Sequence, residues 1–343
     1  MIFLGAGASK PLGIPTMEEF TDVILKDLAD KKVNFEPLVR DIQRQIAAFS
    51  LNPDIEAVLT VLEAKTRPKK ALADIGPSVI LFAEKYRNIA EDMLATVAIR
   101  EIEDAIYKRC MQINHDLAVR LYGSLWDSLT LDFPTGTGSY SPGQRWVQRV
   151  FTTNYDLSLD TFLKRRRIGY DEGFHEDSVG DSTFDGNWGG RGGTLLFKLH
   201  GSINYYDMEG GKIVRSNTPL ETTFYGEKVT RPRMIYPTGE KYATRWPFYE
   251  YLGHLRAALT QEQLCIVIGY SFRDIPITNA FMDGVRKNPG LRIILIGPSA
   301  DNVRQTLDES LQSNVLALHG AFGNELLPQS IREQVRDWAL HLG

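Results

Sequence analysis

Cysteine is scarce in this chain, and its scarcity excludes two kinds of architecture. Only Cys110 and Cys265 occur among 343 residues. Two cysteines cannot build a framework of disulfide bonds or a zinc site with four cysteine ligands. Both lie in apolar stretches of sequence, which predicts reduced side chains in the core. The sequence therefore predicts neither zinc nor another bound metal.

Long apolar runs and a strong excess of one charge are also missing. No stretch of about 18 apolar residues occurs, so no membrane span is expected. The N-terminus lacks the basic and apolar regions of a signal peptide. A formal net charge of −4 does not call for a nucleic-acid partner, and direct binding of nucleic acid is not expected. These absences, together with the lack of internal repeats, make a soluble cytoplasmic protein the expectation.

What the sequence does contain is a series of short apolar runs separated by helical patterns. The runs lie at residues 2–4, 149–151, 195–199, 265–268, 291–296 and 314–318. Buried strands that alternate with helices are typical of a parallel sheet covered on both faces. The expected fold class is therefore α/β, with a Rossmann-like parallel sheet.

A long block in the first half of the chain has a different pattern. Apolar residues recur at helical spacing around residues 55–62, 77–97 and 117–129. The block is too long for a connection between a strand and a helix, and too periodic for a disordered loop. We expect a helical insertion over residues 31–145, inside a Rossmann-like domain formed by residues 1–30 and 146–343.

Polar motifs follow four of the predicted strands. They are Gly-Ala-Gly-Ala-Ser at residues 5–9, Thr-Thr-Asn-Tyr-Asp at 152–156, Lys-Leu-His-Gly at 198–201 and Gly-Tyr-Ser at 269–271. The carboxyl ends of parallel strands meet at one edge of a sheet, where ligands bind. A histidine there, His200, can transfer a proton near neutral pH. Each motif alone also has a structural interpretation, such as a core histidine or a capped turn.

Together with Gly13-Ile14-Pro15, these motifs in this order resemble the motif set of the sirtuins. They resemble more closely the sirtuin-like domains of bacterial anti-phage defence systems. The resemblance implies an NAD+ site in which residues 5–9 hold the pyrophosphate with backbone N–H groups. It implies Asn154 and Asp156 near the nicotinamide ribose and carboxamide, and His200 as the base. The residues it implies for binding NAD+ are Gly5, Ala6, Gly7, Ser9, Pro15, Thr152, Gly269, Ser271 and Ser299.

The chain departs from the sirtuin deacylases at two places. No cysteine lies between Gly201 and Cys265, where those enzymes carry two C-x-x-C pairs. Thr16-Met17-Glu18 replaces the Asp-Phe-Arg that follows Gly-Ile-Pro in sirtuins. Loss of the zinc module implies loss of the groove for an acyl-lysine peptide, which leaves water as the acceptor. The resemblance therefore implies an NAD+ glycohydrolase that forms nicotinamide and ADP-ribose and depletes NAD+ in abortive infection.

Two other functions stay open on the sequence. One is an NAD-dependent lysine deacylase, and the other is a non-catalytic nucleotide-binding subunit of a larger defence complex. The resemblance to compact sirtuin-like defence proteins implies a regulatory partner such as a HerA-type ATPase. We also expect a homo-oligomer formed through the helical block.

Two further segments are interpreted from composition alone. Residues 169–193, rich in glycine, aspartate and serine, predict a mobile loop or lid. The basic run at 164–167 predicts a solvated helix C-terminus, with a phosphate or nucleic-acid patch as the minority interpretation.

Overall fold

The structure is a computed structural model of the chain. It describes residues 1–29, 35–49, 53–66, 89–130, 148–176, 182–188, 193–208, 211–224, 227–230, 232–234, 246–323, 329–331 and 333–334. The predicted helical pattern between residues 77 and 88 lies outside the described residues.

The described elements alternate between strands and helices after residue 148. The strands are β1 (Ile2–Leu4), β2 (Gln148–Thr152), β3 (Tyr170–Asp171), β4 (Phe174–Glu176), β5 (Ser182–Phe184), β6 (Thr194–Lys198), β7 (Gly201–Asp207), β8 (Ile213–Arg215), β9 (Glu221–Phe224), β10 (Glu227–Thr230), β11 (Pro232–Met234), β12 (Leu264–Ile268), β13 (Arg292–Gly297) and β14 (Val315–His319). The helices are α1 (Ala6–Ser9), α2 (Met17–Ala29), α3 (Glu36–Ala48), α4 (Ile55–Thr66), α5 (Ile89–Met111), α6 (His115–Thr130), α7 (Ser158–Arg165), α8 (Phe248–Gln261), α9 (Ile275–Lys287), α10 (Ala300–Thr306) and α11 (Glu309–Gln312).

Seven strands form the central sheet, in the order β14-β13-β12-β1-β2-β6-β3. Every pair in this sheet is parallel. Strands such as β12 are buried over their whole length, because helices cover the sheet on both faces. The predicted α/β fold is confirmed, and the six predicted strands occur within one residue of their expected positions.

The order of the strands reverses at β1. From β1 the chain first adds β2 and β6 on one side, and later adds β12, β13 and β14 on the other. The crevice between the carboxyl ends of the two strands that flank such a reversal is where ligands bind in open α/β sheets. The fold therefore places a binding crevice beside the loops that follow β1 and β12.

The predicted lid over residues 169–193 is wrong for the part of it that the structure describes. That part contains β3, β4 and β5, of which β3 joins the central sheet while β4 and β5 join a second sheet ordered β11-β7-β8-β5-β4. Phe174 and Phe184 are buried against each other, with ring centroids 5.3 Å apart. The burial of these two aromatic rings outweighs the turn-rich composition on which the prediction depended.

Helices α2 to α5 share a hydrophobic core of their own, which reaches the sheet through Tyr155 and Ile203. Helix α6 instead packs against the sheet, where Tyr122 shares a core with residues of β1 and β2. The boundaries of the helical insertion at residues 31 and 145 stay a proposal. None of the described helices has the length and apolar character that a membrane crossing needs.

The basic run at the end of α7 faces helix α6. Arg165 pairs with Asp116, and Arg166 pairs with Asp127. Lys164 donates a hydrogen bond to the Asn217 side chain, with 3.2 Å between Nζ and Oδ1. These contacts favour the structural interpretation of the run.

A cluster of four charges is buried between β6 and its neighbours. The Lys198 side chain is 1% exposed, and its Nζ lies 2.8 Å from Oδ2 of Asp160 and 3.7 Å from Oε1 of Glu172. Lys198 also donates to Oγ of Ser202 over 2.9 Å. Arg215 contacts the second oxygen of Glu172 at 2.7 Å. Two cations thus face two anions in this cluster. One of the cations, Lys198, stands two residues before His200 in the sequence.

Candidate active site

The loops after β1 and β12 are joined by their backbones. Gly5 N donates to Ile268 O and Gly7 N donates to Gly269 O, both over 2.9 Å. A Cβ atom on Gly7 would lie 2.7 Å from the Cα of Gly269, closer than two such atoms approach. The glycines therefore allow one loop to lie against the other.

This packing engages most of the backbone N–H groups in residues 5–9 that the resemblance implies for binding the pyrophosphate. The N–H groups of Gly5, Gly7 and Ala8 all donate within the protein, the last to Gly5 O over 2.9 Å. The N–H of Ala6 takes part in none of these bonds, and Ala6 faces the cavity described below. Ala6 is therefore an expected pyrophosphate donor whose N–H these bonds between the loops do not engage.

Gly269 is the position where a side chain is expected to cost most. Its φ of +64° lies in the left-handed region, and a Cβ there would lie 2.5 Å from the backbone N of Ala8. We expect Gly269→Ala to lower the free energy of unfolding by at least about 2 kcal/mol. Urea unfolding followed by circular dichroism measures the change.

Gly253→Ala is the matched control, because Gly253 lies inside α8 and an added Cβ meets no described atom within 4 Å. This variant should be unchanged or more stable by up to about 1 kcal/mol, since alanine favours a helix. Equal stability of the two variants would contradict the role given to Gly269.

Asn154 connects the motif after β2 to the glycine turn. Its Nδ2 donates to Gly5 O over 3.0 Å and to Ser9 Oγ over 2.9 Å. Ser9 Oγ in turn donates to Oδ2 of Asp156 over 2.6 Å, and Oδ1 of Asp156 accepts from Ser158 N over 2.8 Å. Both Asp156 oxygens are thus engaged inside the protein, while the Oδ1 atom of Asn154 makes none of these bonds.

His200 follows β6 and pairs with a carboxylate that sequence reasoning missed. Its Nε2 lies 3.1 Å from Oδ2 of Asp274, and the two side chains are 6% and 4% exposed. Oδ1 of Asp274 caps helix α9 by accepting from Ile277 N over 3.1 Å. A carboxylate held in this way fixes the ring of a histidine and, by accepting the Nε2 proton, leaves Nδ1 as the basic nitrogen.

These groups surround one cavity of about 140 Å³. A cavity of about 150 Å³ admits a benzene ring, so this one accommodates a single six-membered ring rather than a dinucleotide. Helices α2, α4 and α5 contribute Phe20, Glu56 and Cys110 to its lining. Burial raises the pKa of the Cys110 thiol well above its usual range, which keeps the sulfur protonated and unreactive.

Most of the residues that the sequence assigned to the site line this cavity. They are Ala6, Ser9, Pro15, Asn154, Asp156, His200, Gly269 and Ser271. Gly5 and Gly7 form the turn after β1 but do not line the cavity. Thr152 positions Asn154, because its hydroxyl accepts a hydrogen bond from Asn154 N over 3.0 Å. Ser299 lies exposed at the start of α10, outside the lining, because β13 is separated from β1 by β12.

The order of the elements and the geometry of their loops can be compared with known proteins. Residues 148–318 match the family model of the SIR2-like domain. The match runs from β2 into β14 and includes Asn154, His200 and Asp274. The search of curated proteins finds no match. Among the described residues, no group of histidine, cysteine and acidic side chains is arranged to hold a metal ion.

Solved structures of Sir2 homologues resemble the chain at low identity. A mutant homologue in complex with 2'-O-acetyl ADP-ribose is 13% identical, with a TM-score of 0.49, and the match covers 100% of this chain and 94% of that one. A homologue in complex with NAD is 12% identical, with a TM-score of 0.48 and coverage of 98% and 89%. A mutant bound to ADP-ribose is 15% identical, with a TM-score of 0.45 and coverage of 100% and 93%.

Proposed function

We propose that the protein is an NAD+ glycohydrolase, which cleaves the bond between nicotinamide and ribose. One observation carries the proposal: His200, Asn154 and the glycine turn, far apart in sequence, line a single cavity at the strand reversal. The match of residues 148–318 to the SIR2-like domain supports NAD+ as the ligand.

The chemistry needs few catalytic groups. Nicotinamide leaves NAD+ with the bonding electron pair and becomes neutral, so no strong general acid is required. The ribose passes through an oxocarbenium-like state, as in other glycosyl cleavages. Water adds to the ribose C1' atom and its proton passes to Nδ1 of His200, directly or through a ribose hydroxyl. Asn154 accepts a hydrogen bond from the water or the ribose through Oδ1, and the products are nicotinamide, ADP-ribose and one proton.

The remainder of the dinucleotide extends beyond the cavity, through its open side. Ser271 and Arg273 lie at the exposed part of the lining. A guanidinium and a hydroxyl suit the oxygens of a pyrophosphate, and the Ala6 N–H lies on the same wall. The Ser9 hydroxyl is already bonded to Asn154 and Asp156. Ser9 therefore positions Asn154 and does not itself bind the pyrophosphate.

A lysine deacylase is less well supported by the chain. The zinc module of the sirtuin deacylases needs four cysteines, and Cys110 and Cys265 are buried in two different hydrophobic cores. The depletion of NAD+ in anti-phage defence, the HerA-type ATPase and the homo-oligomer stay predictions from the sequence resemblance. Sizing of the native protein checks the last of these, and a monomer under all conditions would contradict it.

Product analysis separates the candidate functions. The purified full chain is incubated with NAD+, with and without an acetyl-lysine peptide and a HerA-type ATPase, and the products are quantified by chromatography. We expect nicotinamide and free ADP-ribose in equal amounts, independent of the peptide. O-acetyl-ADP-ribose formed only with the peptide would indicate a deacylase. NAD+ binding without cleavage in every arm would indicate a non-catalytic subunit, and absence of NAD+ binding by calorimetry would contradict an NAD+ site.

Asp274→Asn tests the pair that holds His200. Asparagine still caps α9, so the variant should melt like wild type. If the amide oxygen keeps the cap, the amide NH2 group faces Nε2 of His200, and it cannot accept the Nε2 proton as the carboxylate does. We expect kcat to fall by about 10- to 100-fold with little change in KM. Asp308→Asn is the control, because Asp308 caps α11 in the same way, accepting from Ser310 N over 3.0 Å. Equal kcat values for the two variants would remove Asp274 from the mechanism.

A further inference from the structure

The helical block places the first turn of α4 on the wall of the cavity. Ile55 N donates to the Thr21 hydroxyl over 3.0 Å, and Ala57 N donates to Oδ1 of Asp54 over 2.9 Å. These two bonds fix the direction in which the helix begins. As a result Asp54 and Glu56 both line the cavity that contains His200.

Glu56 is attached to the motif that follows β2. It is 9% exposed, and its Oε1 accepts a hydrogen bond from the Tyr155 hydroxyl over 3.3 Å. Burial, reinforced by the Glu56 charge, raises the pKa of Tyr155 well above its usual range, so the phenol stays protonated and remains a donor. The Tyr155 ring lies 6.2 Å from the His200 ring, measured between centroids. Glu56 and His200 therefore both lie near the same tyrosine.

The charge of the lining selects one end of a dinucleotide. Among the described residues that line the cavity, four carry carboxyl groups, and His200 and Arg273 carry basic side chains. Of the acids, Asp156 holds Ser9, and Asp274 holds His200. A space for one ring, bordered by carboxylates, attracts a cation and repels a phosphate. The adenine of NAD+ is neutral and its nicotinamide ring carries a positive charge, so the nicotinamide ring is the part that fits.

We propose that Glu56 is a specificity residue that recognises the positive charge of the nicotinamide ring. It favours NAD+ over NADH, which has the same size and phosphates but a neutral dihydronicotinamide. It also favours release of the product, because nicotinamide is neutral once the bond has broken. This inference deepens the proposed function, since it depends on NAD+ being the ligand, and it gives the helical block a part in substrate choice.

The test compares the binding of the oxidised and reduced dinucleotides. NAD+ and NADH are titrated by calorimetry into the full chain carrying His200→Ala, which leaves NAD+ intact, either alone or combined with Glu56→Gln or Glu63→Gln. The His200→Ala chain should bind NAD+ at least about 10-fold more tightly than NADH, and adding Glu56→Gln should reduce that ratio by about 10-fold. Adding Glu63→Gln, on the same helix but outside the lining, should keep the ratio of the His200→Ala chain. If Glu56 had only a structural role, its replacement would weaken the binding of both ligands equally and leave the ratio of their affinities unchanged.

The outcomes separate this inference from the proposed function. Hydrolysis of NAD+ by wild type with an unchanged ratio in Glu56→Gln would overturn the role of Glu56 alone. If Glu56→Gln lowers the ratio of the affinities for NAD+ and NADH but wild type does not hydrolyse NAD+, the role of Glu56 would be supported and the proposed hydrolase activity would be overturned. Failure of wild type to bind either ligand would overturn both. If Glu56→Gln melts well below wild type, Glu56→Asp replaces it: the retained charge should preserve the preference for NAD+, and a preference lost despite that charge would overturn the inference.

Discussion

Replacing His200 with alanine lowers the rate of nicotinamide release by about 10²- to 10⁴-fold, the range for loss of a general base. The imidazole lines the cavity, and the Asp274 carboxylate holds it in a defined orientation through Nε2. Alanine removes the proton acceptor and leaves Asp274 with its cap on α9. The variant is therefore expected to fold, and a steady-state assay of nicotinamide measures the loss.

His319 provides a matched control. It stands at the end of β14 in the same sheet, is followed by glycine as His200 is, and is exposed. His319→Ala should keep the wild-type rate. A folded His200→Ala variant with unchanged turnover would contradict the mechanism. Asn154→Ala should also lose turnover, but it is a weaker test because Asn154 also joins Gly5 to Ser9.

Replacing Lys198 with methionine lowers the free energy of unfolding by about 3–5 kcal/mol, the cost of removing one partner from a buried charge cluster. Burial alone would lower the pKa of Lys198, but Asp160 and Glu172 raise it above its usual range. Burial alone would raise the pKa of Glu172, but Lys198 and Arg215 lower it. The cations thus keep Glu172 ionised, and its share of the stability is present above the ordinary pKa of a glutamate and is lost as the pH falls below it, through the lowered pKa of Glu172.

Lys108→Met is the control for this cluster. Lys108 pairs with Asp104 on the surface of α5, with 2.6 Å between Nζ and Oδ2, and its side chain is 60% exposed. Removing an exposed pair of this kind should cost about 0.5 kcal/mol or less. Urea unfolding at pH 7 compares the two variants with wild type. A cost for Lys198→Met as small as that for Lys108→Met would show that the buried cluster contributes little.

Much of the framework of the site was predictable from sequence because it depends on local signals. Apolar runs ending in glycine, asparagine or histidine predict strands whose polar ends share an edge. The structure brings His200, Asn154 and the glycine turn together at that edge. What the pattern did not show is that Gly7 and Gly269 are required for packing of one loop on the other.

The missing parts depend on tertiary contacts that no local pattern encodes. Asp274 carries a clear signal as a helix cap before Ile275-Pro276, yet its pairing with His200 joins residues 74 positions apart. Glu56 lies in a periodic helix with no motif, and its place at the cavity depends on how the helical block packs on Tyr155. Ser299, which the resemblance implies for binding NAD+, lies at the start of α10 outside the lining of the cavity, and its role stays a prediction.

The central claim is that the cavity beside His200 receives the nicotinamide end of NAD+. A crystal structure of the His200→Ala variant soaked with NAD+ tests it most directly, because the intact ligand should persist. We expect the nicotinamide ring in the cavity, in contact with Tyr155 and Glu56, with the pyrophosphate at Ala6 and Arg273. Adenine in the cavity, or NAD+ bound at another edge of the sheet, would contradict the account.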